Sequence, residues 1–435
     1  MDSMDNFRER FEALEQRTEP LQPPPRLVAR RRRWGWGLAW GVGLLALGLS
    51  ILEGMAMAQA QSPPCSPTAY TQVTNSAPFP STFCAYAWSP YRNRLPDNPQ
   101  SIDAANTQTL QQDYAPNSGP TQLNTIGALP TGPNQGDDGY AVFVAAASDP
   151  RVTVNCAQVQ RYYGCSDSDG HSLAQVTDTY QIPAWVRPSV AFDEEGNPGG
   201  DLNMEIIQPD GRTIAIHGCY PSRDWQDGDV IGEDICPAAG VAVGSIVTSA
   251  GVNPGNLNGG DNFAALPVHY ADIVQGQINH PMVGLLGCTA GAVYPALYDA
   301  QPCNPYVGLP AGARIWLALT RDQIDAQDAS VIPVHMRPFA YALHEYGMYV
   351  LDSTGGPQYF TQPVLESAYA MLESGAADQS PWTDWFVANG GARTSDQVLK
   401  MQGPGLTIDF SQLASHLYVL DVCYARGTCS DSVPE

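Results

Sequence analysis

LNMEIIQPDGRTIAIH, residues 202–217, is the stretch whose reading decides the fold. Two alternating apolar runs, Leu202 to Ile207 and Arg212 to Ile216, flank Gln208-Pro209-Asp210-Gly211. Pro presets φ for a turn and Gly tolerates its left-handed position, so the segment reads as a β-hairpin. The signature recurs in Val142 to Ala147, Arg151 to Val154, Val241 to Thr248 and Arg314 to Leu319, short apolar stretches between Gly, Pro, Asn and Asp clusters. Such spacing is that of an all-β chain with long loops. The expected fold is mainly β: a disulfide-stapled β-sandwich with two or three short C-terminal helices, preceded by an N-terminal membrane-spanning or signal helix.

Composition agrees with this reading. The 435 residues include 41 Gly and 37 Pro, which exclude a long helical bundle, because both residues break helix interiors. Apolar content is 43%, enough to fold, while charged residues reach only 15%. Met336 to Tyr349 is expected as a helix, with Met336, Phe339, Leu343 and Tyr346 on one stripe. Pro363 to Leu372 is expected as a second, and Ser411 to Val422 as a strand or a short helix leading into one. No repeat of solenoid or propeller period is found.

The amino terminus reads differently. Residues 34–52, WGWGLAWGVGLLALGLSIL, carry no charge, and a bilayer-spanning helix needs roughly 17–25 residues. Arg30, Arg31, Arg32 and Arg33 stand just upstream, so the positive-inside rule places the amino terminus in the cytoplasm and everything after residue 60 outside it. Ala56-Met57-Ala58-Gln59-Ala60 offers small-x-small cleavage sites, which leaves both a cleaved signal segment and an uncleaved anchor open. Residues 1–33 then form a cytoplasmic stub, with Phe7, Phe11 and Leu14 on a short amphipathic helix and a Pro-rich basic segment after it. Residues 61–136, rich in Pro, Ser, Thr, Asn and Gln, read as a loosely packed arm or linker, and residues 137–435 as the exported β-rich domain.

All ten cysteines follow residue 60, and an even count confined to an exported part reads as disulfides. Their spacing suggests local pairs: Cys65 with Cys84, Cys156 with Cys165, Cys219 with Cys236, Cys288 with Cys303, and Cys423 with Cys429. No Cys-x-x-Cys pair supports a zinc site.

Charge narrows the partners. Asp plus Glu number 44 against 21 Lys plus Arg, a net charge of -23, and an acidic surface repels the phosphates that supply most nucleic-acid affinity. A Walker loop, a G-x-S-x-G elbow and an H-E-x-x-H helix are absent; His344-Glu345 starts the last of these, but Met348 stands where its second histidine belongs. No metal site is assigned. Calcium remains a candidate cofactor, because Asp167-Ser168-Asp169-Gly170, Asp193-Glu194-Glu195-Gly196-Asn197 and the turn from Asp224 to Asp229 gather oxygen ligands on loops.

Glycoside hydrolysis needs two carboxyl groups roughly 5–10 Å apart, one protonated and one ionised. Asp201 and Glu205 share a strand face, but four residues at about 3.3 Å each leave their backbones about 13 Å apart, so the side chains must lean together. Trp225, with Trp185, Trp382 and Trp385, is a candidate platform for stacking a sugar ring.

Three segments resemble a family of exported bacterial proteins. GGDNFAALPVHYADIVQGQINHP, from Gly259 to Pro281, is similar to that family's G-x-I-N/D-H pattern; Leu309-Pro310-Ala311-Gly312-Ala313-Arg314 is similar to its LP-x-G-x-R step. Ala342 to Asp352 is similar to its A-L-x-x-Y-G-M-x-V-x-D. The likeness runs from about Tyr140 to Asp421, and it departs at Asp201-Leu202-Asn203, where relatives often carry Asp-x-His. The resemblance implies a secreted or surface-attached protein among carbohydrate-associated neighbours, and it implies no particular reaction.

The resulting expectation is an exported cell-surface or periplasmic protein that binds polysaccharide or acts on it. Its catalytic candidates are His280, Asp201 and Glu205; Asn203, Asn279 and Trp225 are its binding candidates. The membrane is a partner through residues 34–52, and nucleic acid is not one. The alternative is a structural envelope or adhesion protein without catalysis.

Overall fold

A computed structural model describes residues 94–113, 135–136, 141–155, 165–167, 177–188, 191–192, 198–199, 204–209, 212–232, 235–236, 240–245, 268, 270–286, 288–296, 308–353, 361–363, 385, 387–390, 392–393, 399–400 and 406–431. The expected span 34–52 and the stub before it lie outside these residues. Among the described residues no helix is long and apolar enough to cross a membrane.

The hairpin forms where its turn chemistry places it. Strands β5 (Met204–Ile207) and β6 (Arg212–His217) pair antiparallel, with Met204 opposite Ile216 and Ile207 opposite Thr213. The Gln208 amide closes the turn onto the Arg212 carbonyl at 2.7 Å. Around it lie β1 (Ala141–Val144), β3 (Cys165–Asp167) and β8 (Gly240–Ser245), in the order β1-β5-β6-β8-β3. A three-stranded sheet, β7-β2-β4, comes from β2 (Arg151–Asn155), β4 (Thr177–Gln181) and β7 (Val230–Ile231).

These two sheets share one core. Phe143, Met204, Ile206, Ile214 and Ile216 from the first meet Val152, Val154, Tyr180 and Ile231 from the second. Polar side chains lace them together as well. Buried Gln208 accepts from the Gln181 amide at 2.8 Å and donates to its carbonyl at 3.0 Å, and Arg212 pairs with Asp178 at 2.6 Å. The Cys219–Cys236 disulfide, with Cα atoms 5.0 Å apart, closes the loop after β6.

The second body departs from a plain sandwich. Its sheet, β14-β9-β13-β12-β15, is built from β9 (Met282–Leu286), β12 (Arg314–Leu317), β13 (Met348–Ser353), β14 (Thr361–Pro363) and β15 (Leu417–Leu420). Strands β9 and β13 run parallel, and parallel neighbours need a crossover of a dozen or more residues. The chain between them carries β10 (Thr289–Ala292), β11 (Leu309–Ala311), β12 itself, α3 (Arg321–Asp325) and α4 (Arg337–Glu345). Phe339 and Leu343 of α4, Ile324 of α3 and Leu413 of α5 (Phe410–Leu413) cover the sheet's Ile315, Leu317, Met348 and Val350. The expected sheets and short helices are both present, but strand and helix have comparable shares among the described residues, and helices pack on this sheet where a sandwich would place a second one.

Two boundaries differ from expectation. The helix expected to run to Tyr349 ends at Glu345, because Gly347 turns the chain at φ 73° and β13 begins at Met348. A Cβ at Gly347 would lie 2.8 Å from the Ile315 carbonyl oxygen, so this turn excludes side chains. Pro363, expected to open a helix, instead pairs with Gly284 at the sheet edge, and residues 364–372 lie outside the described residues.

The expected loose arm, where described, is docked. Helix α1 (Ala104–Asp113) inserts Leu110 into the second core, and Ile102 bridges Leu420 on the outer edge of β15. The polar sequence AANTQTLQQD contains one large apolar residue, which is too little periodicity to reveal a packed helix.

Candidate functional site

Of the residues that the sequence grouped, the structure describes Glu205, Trp225, Asn279 and His280. Glu205 sits inside β5 with Val142 and Ala215 as its cross-strand neighbours, and it is fully buried. Met204 and Ile206 face the core; alternation puts Glu205 on the other face of the sheet, where Ala215 is buried too. Its carboxyl group is enclosed in the sheet and does not line an open groove. Asp201 and Asn203 lie outside the described residues.

Trp225 is enclosed as well. It is 1% exposed, packs in the first core and donates its indole N–H to the Val186 carbonyl at 3.3 Å, so it offers no face to a sugar. His280 is also buried, at 1% exposed, between α2 (Tyr270–Gln275) and β9. Its Nδ1 lies 2.8 Å from the Pro281 carbonyl oxygen, and a carbonyl only accepts, so Nδ1 carries a proton. Nε2 faces the Asp272 carboxylate at 3.4 Å. These contacts fix the turn between α2 and β9 and leave His280 closed to solvent. Asn279 beside it is exposed.

The acidic turn from Asp224 to Asp229 is an arginine-laced lock. Arg223 grips Asp229 through two hydrogen bonds of 2.9 and 2.7 Å and holds its carboxyl below the usual 3.8. Arg187 pairs with Asp224 at 2.9 Å, and Asp227 accepts from the Arg151 amide at 2.7 Å. These carboxylates serve protein donors. Residues 168–170 and 193–197 lie outside the described residues; among those described, no group of three or more His, Cys, Asp or Glu is placed to hold a metal.

What the fold does bring together is a small recess of about 100 Å³ in the second body, lined by Asp103, Asn106, Tyr294, Arg314, Asp421 and Ala425 among others. That is smaller than the roughly 300–1,000 Å³ of a drug-sized ligand site, so the recess takes the end or edge of a ligand rather than enclosing a whole one. Four chain segments supply the walls. Asp103 heads α1 and accepts from the Asn106 amide at 3.0 Å and its side-chain nitrogen at 2.7 Å. Asp421 caps α6 (Val422–Arg426), accepting from the Cys423 amide at 2.9 Å.

Tyr294 follows β10 and precedes Pro295 through a cis peptide. The Arg426 guanidinium lies 5.5 Å from its ring centre, and burial pushes its phenol up, opposed by that same arginine. The turn at Gly312 passes close behind: a Cβ there would sit 1.9 Å from the Val293 carbonyl oxygen.

Arg314 forms the inner wall and is 3% exposed. Its Nε donates to the Tyr346 carbonyl at 2.7 Å, joined by Nη2, and its guanidinium lies 5.1 Å from the Tyr349 ring centre. Burial pulls the Arg314 pKa down, and the Tyr349 phenol opposes this. Burial likewise pushes the Tyr349 phenol up to about 12.

The recess gathers two carboxylates, an amide and a phenol ring, with Asp103 already hydrogen-bonded to Asn106 and one Asp421 oxygen capping α6, so a ligand would use their remaining lone pairs. Sequence reasoning missed this constellation because Asp103 and Asp421 stand far apart in the chain. Only Arg314 carried a signal, as the last residue of LPAGAR. Comparison with protein families, characterised proteins and solved structures finds no match to this chain.

Proposed function

We propose that this is an exported, disulfide-stapled protein whose second body holds a glycan in the Tyr294 recess as a binding module. The observation that carries the reading is the recess itself, where Asp103, Asn106 and Asp421 line one opening together with Tyr294. Carboxylate and amide groups can hydrogen-bond paired hydroxyls, while the ring covers the apolar C–H face of a sugar. Binding is favoured over hydrolysis because Glu205 and His280, the described catalytic candidates, are enclosed. The likeness to exported bacterial proteins supports residues 34–52 as the export signal or anchor, and the shared core of β1 to β8 supports a β-sandwich reading for the first body.

The test uses the full chain produced in an oxidising compartment and incubated with cellulose, chitin and peptidoglycan. Retention on a polymer that falls at least tenfold in Tyr294→Ala and Asn106→Ala, with no released oligosaccharide by mass spectrometry, is the expected result. Released products would replace the module with an enzyme. No retention on any of the three would overturn the glycan reading in favour of a structural envelope protein.

A further inference from the structure

The recess has a composite wall. Asp103 and Asn106 come from the docked segment 94–113, whereas Asp421, Val422 and Ala425 come from the carboxy-terminal segment. Neither wall belongs to the central strands of the sheet, and each holds the other. The Asp103 amide donates to the Val419 carbonyl at 2.9 Å and the Asp421 amide to the Ser101 carbonyl at 3.0 Å, on either side of the Ile102–Leu420 bridge. Thr107 Oγ1 accepts from the Val419 amide at 2.9 Å, and Gln111 donates to the Leu417 carbonyl at 3.0 Å.

The far end of this contact is stapled. Cys423 and Cys429, with Cα atoms 4.9 Å apart, close the loop that follows α6. Beyond it the Asp431 carboxylate accepts from the Tyr424 hydroxyl and, at 2.8 Å, from the Gln100 amide. Leu95, Trp316, Leu420, Tyr424 and Cys429 pack as one small cluster beneath. The disulfide thus anchors the loop that grips residues 95–101, and these residues position the Asp103 wall.

Resting on the reading of the recess as a binding site, we propose that the Cys423–Cys429 disulfide switches that site: oxidised, it keeps segment 94–113 docked and the recess complete; reduced, it lets the segment detach and the recess open. Cys423 is the more exposed of the pair. A thiolate of a dithiol reductant attacks its sulfur, Cys429 leaves as a thiolate, and the second thiol resolves the mixed disulfide. Two electrons and two protons pass to the protein, and the dithiol becomes a disulfide. Apparent affinity falls with the fraction of chains holding the complete recess, so a tenfold loss of docked chains raises the apparent Kd tenfold.

The test compares the full oxidised chain with a Cys423→Ser, Cys429→Ser double variant by hydrogen exchange and by retention on cellulose, chitin and peptidoglycan. At least tenfold faster exchange at the Asp103 and Asp421 amides, unchanged exchange at Met282 and Val350, and at least tenfold weaker retention are expected. Thr107→Ala opens the same contact from the other side without touching the disulfide, and should reproduce both effects if the double variant misfolds. Retention by the wild type with exchange at Asp103 unaltered in both variants would overturn the switch and leave the glycan reading standing. Accelerated exchange with no retention by the wild type would overturn the glycan reading and the switch of ligand binding with it, leaving only the structural link between disulfide and clasp.

Discussion

Leu110→Ala tests the docking of α1 most directly. Leu110 is 1% exposed and is the residue α1 contributes to the second core. The substitution deletes three carbon groups, which at about 0.8 kcal/mol each amount to about 2.4 kcal/mol of lost transfer free energy. A cavity term brings the cost to about 3–4 kcal/mol, inside the span of about 2–5 kcal/mol for buried Leu→Ala. An edge helix has a second option. It can detach, which limits the loss to the free energy of docking residues 94–113 and moves the effect into local opening. Equilibrium denaturation and hydrogen exchange together separate these outcomes. Detachment gives a smaller stability loss with exchange at residues 104–113 accelerated, whereas a tolerated cavity gives the full loss with α1 still protected. A loss below about 0.5 kcal/mol with unchanged exchange would refute the burial of Leu110, since surface substitutions stay within that bound.

Three further outcomes follow from other parts of the molecule. Trp225→Phe should cost about 2 kcal/mol, from a lost indole hydrogen bond and imperfect filling of the core, with polymer retention unchanged; lost retention in a stably folded variant would restore Trp225 as a binding residue. The Asp229 carboxyl is held below 3.8 first by the Arg223 hydrogen bonds, so its contribution is present above the unfolded pKa and is lost as pH falls through the folded one. Denaturation midpoints followed down from about pH 5 should therefore drop less steeply in Asp229→Asn than in the wild type. Tyr349 shows the opposite sign: its phenol is raised by burial from 10.0 to about 12, so its contribution is complete below the unfolded value and disappears as pH rises through the folded value. Tyr349→Phe should flatten the loss of stability across that alkaline window, and an identical slope in the two proteins would contradict the enclosed phenol.

Local chemistry was legible where it sufficed to define structure. The alternation and Pro-Asp-Gly turn of residues 202–217 set a hairpin whatever packs on it, because the turn's backbone preferences and the strand's period act over neighbouring residues. Near-neighbour cysteines behaved likewise: Cys219 with Cys236 and Cys423 with Cys429 are joined. Cys288 is also disulfide-bonded, and its expected partner Cys303 lies outside the described residues. Apolar strands such as Arg314 to Leu317 were visible because burial on a pleated sheet selects the side chains that mark them.

The tertiary structure alone decided burial and assembly. Glu205, Trp225 and His280 carry the side chains of a sugar-cleaving groove, yet their exposure depends on neighbours many residues away: Val142 and Ala215 flank the first, Val186 receives the second, and Asp272 faces the third. The recess that the fold does build draws Asp103 and Asp421 together from opposite ends of the described chain, through the outer edge of β15. Pattern in a sequence reports which face of a local element is apolar. Which distant element covers that face, and which polar residues are left around a shared cavity, are settled by packing across the sheet edge, and that information is carried by no single window of the chain.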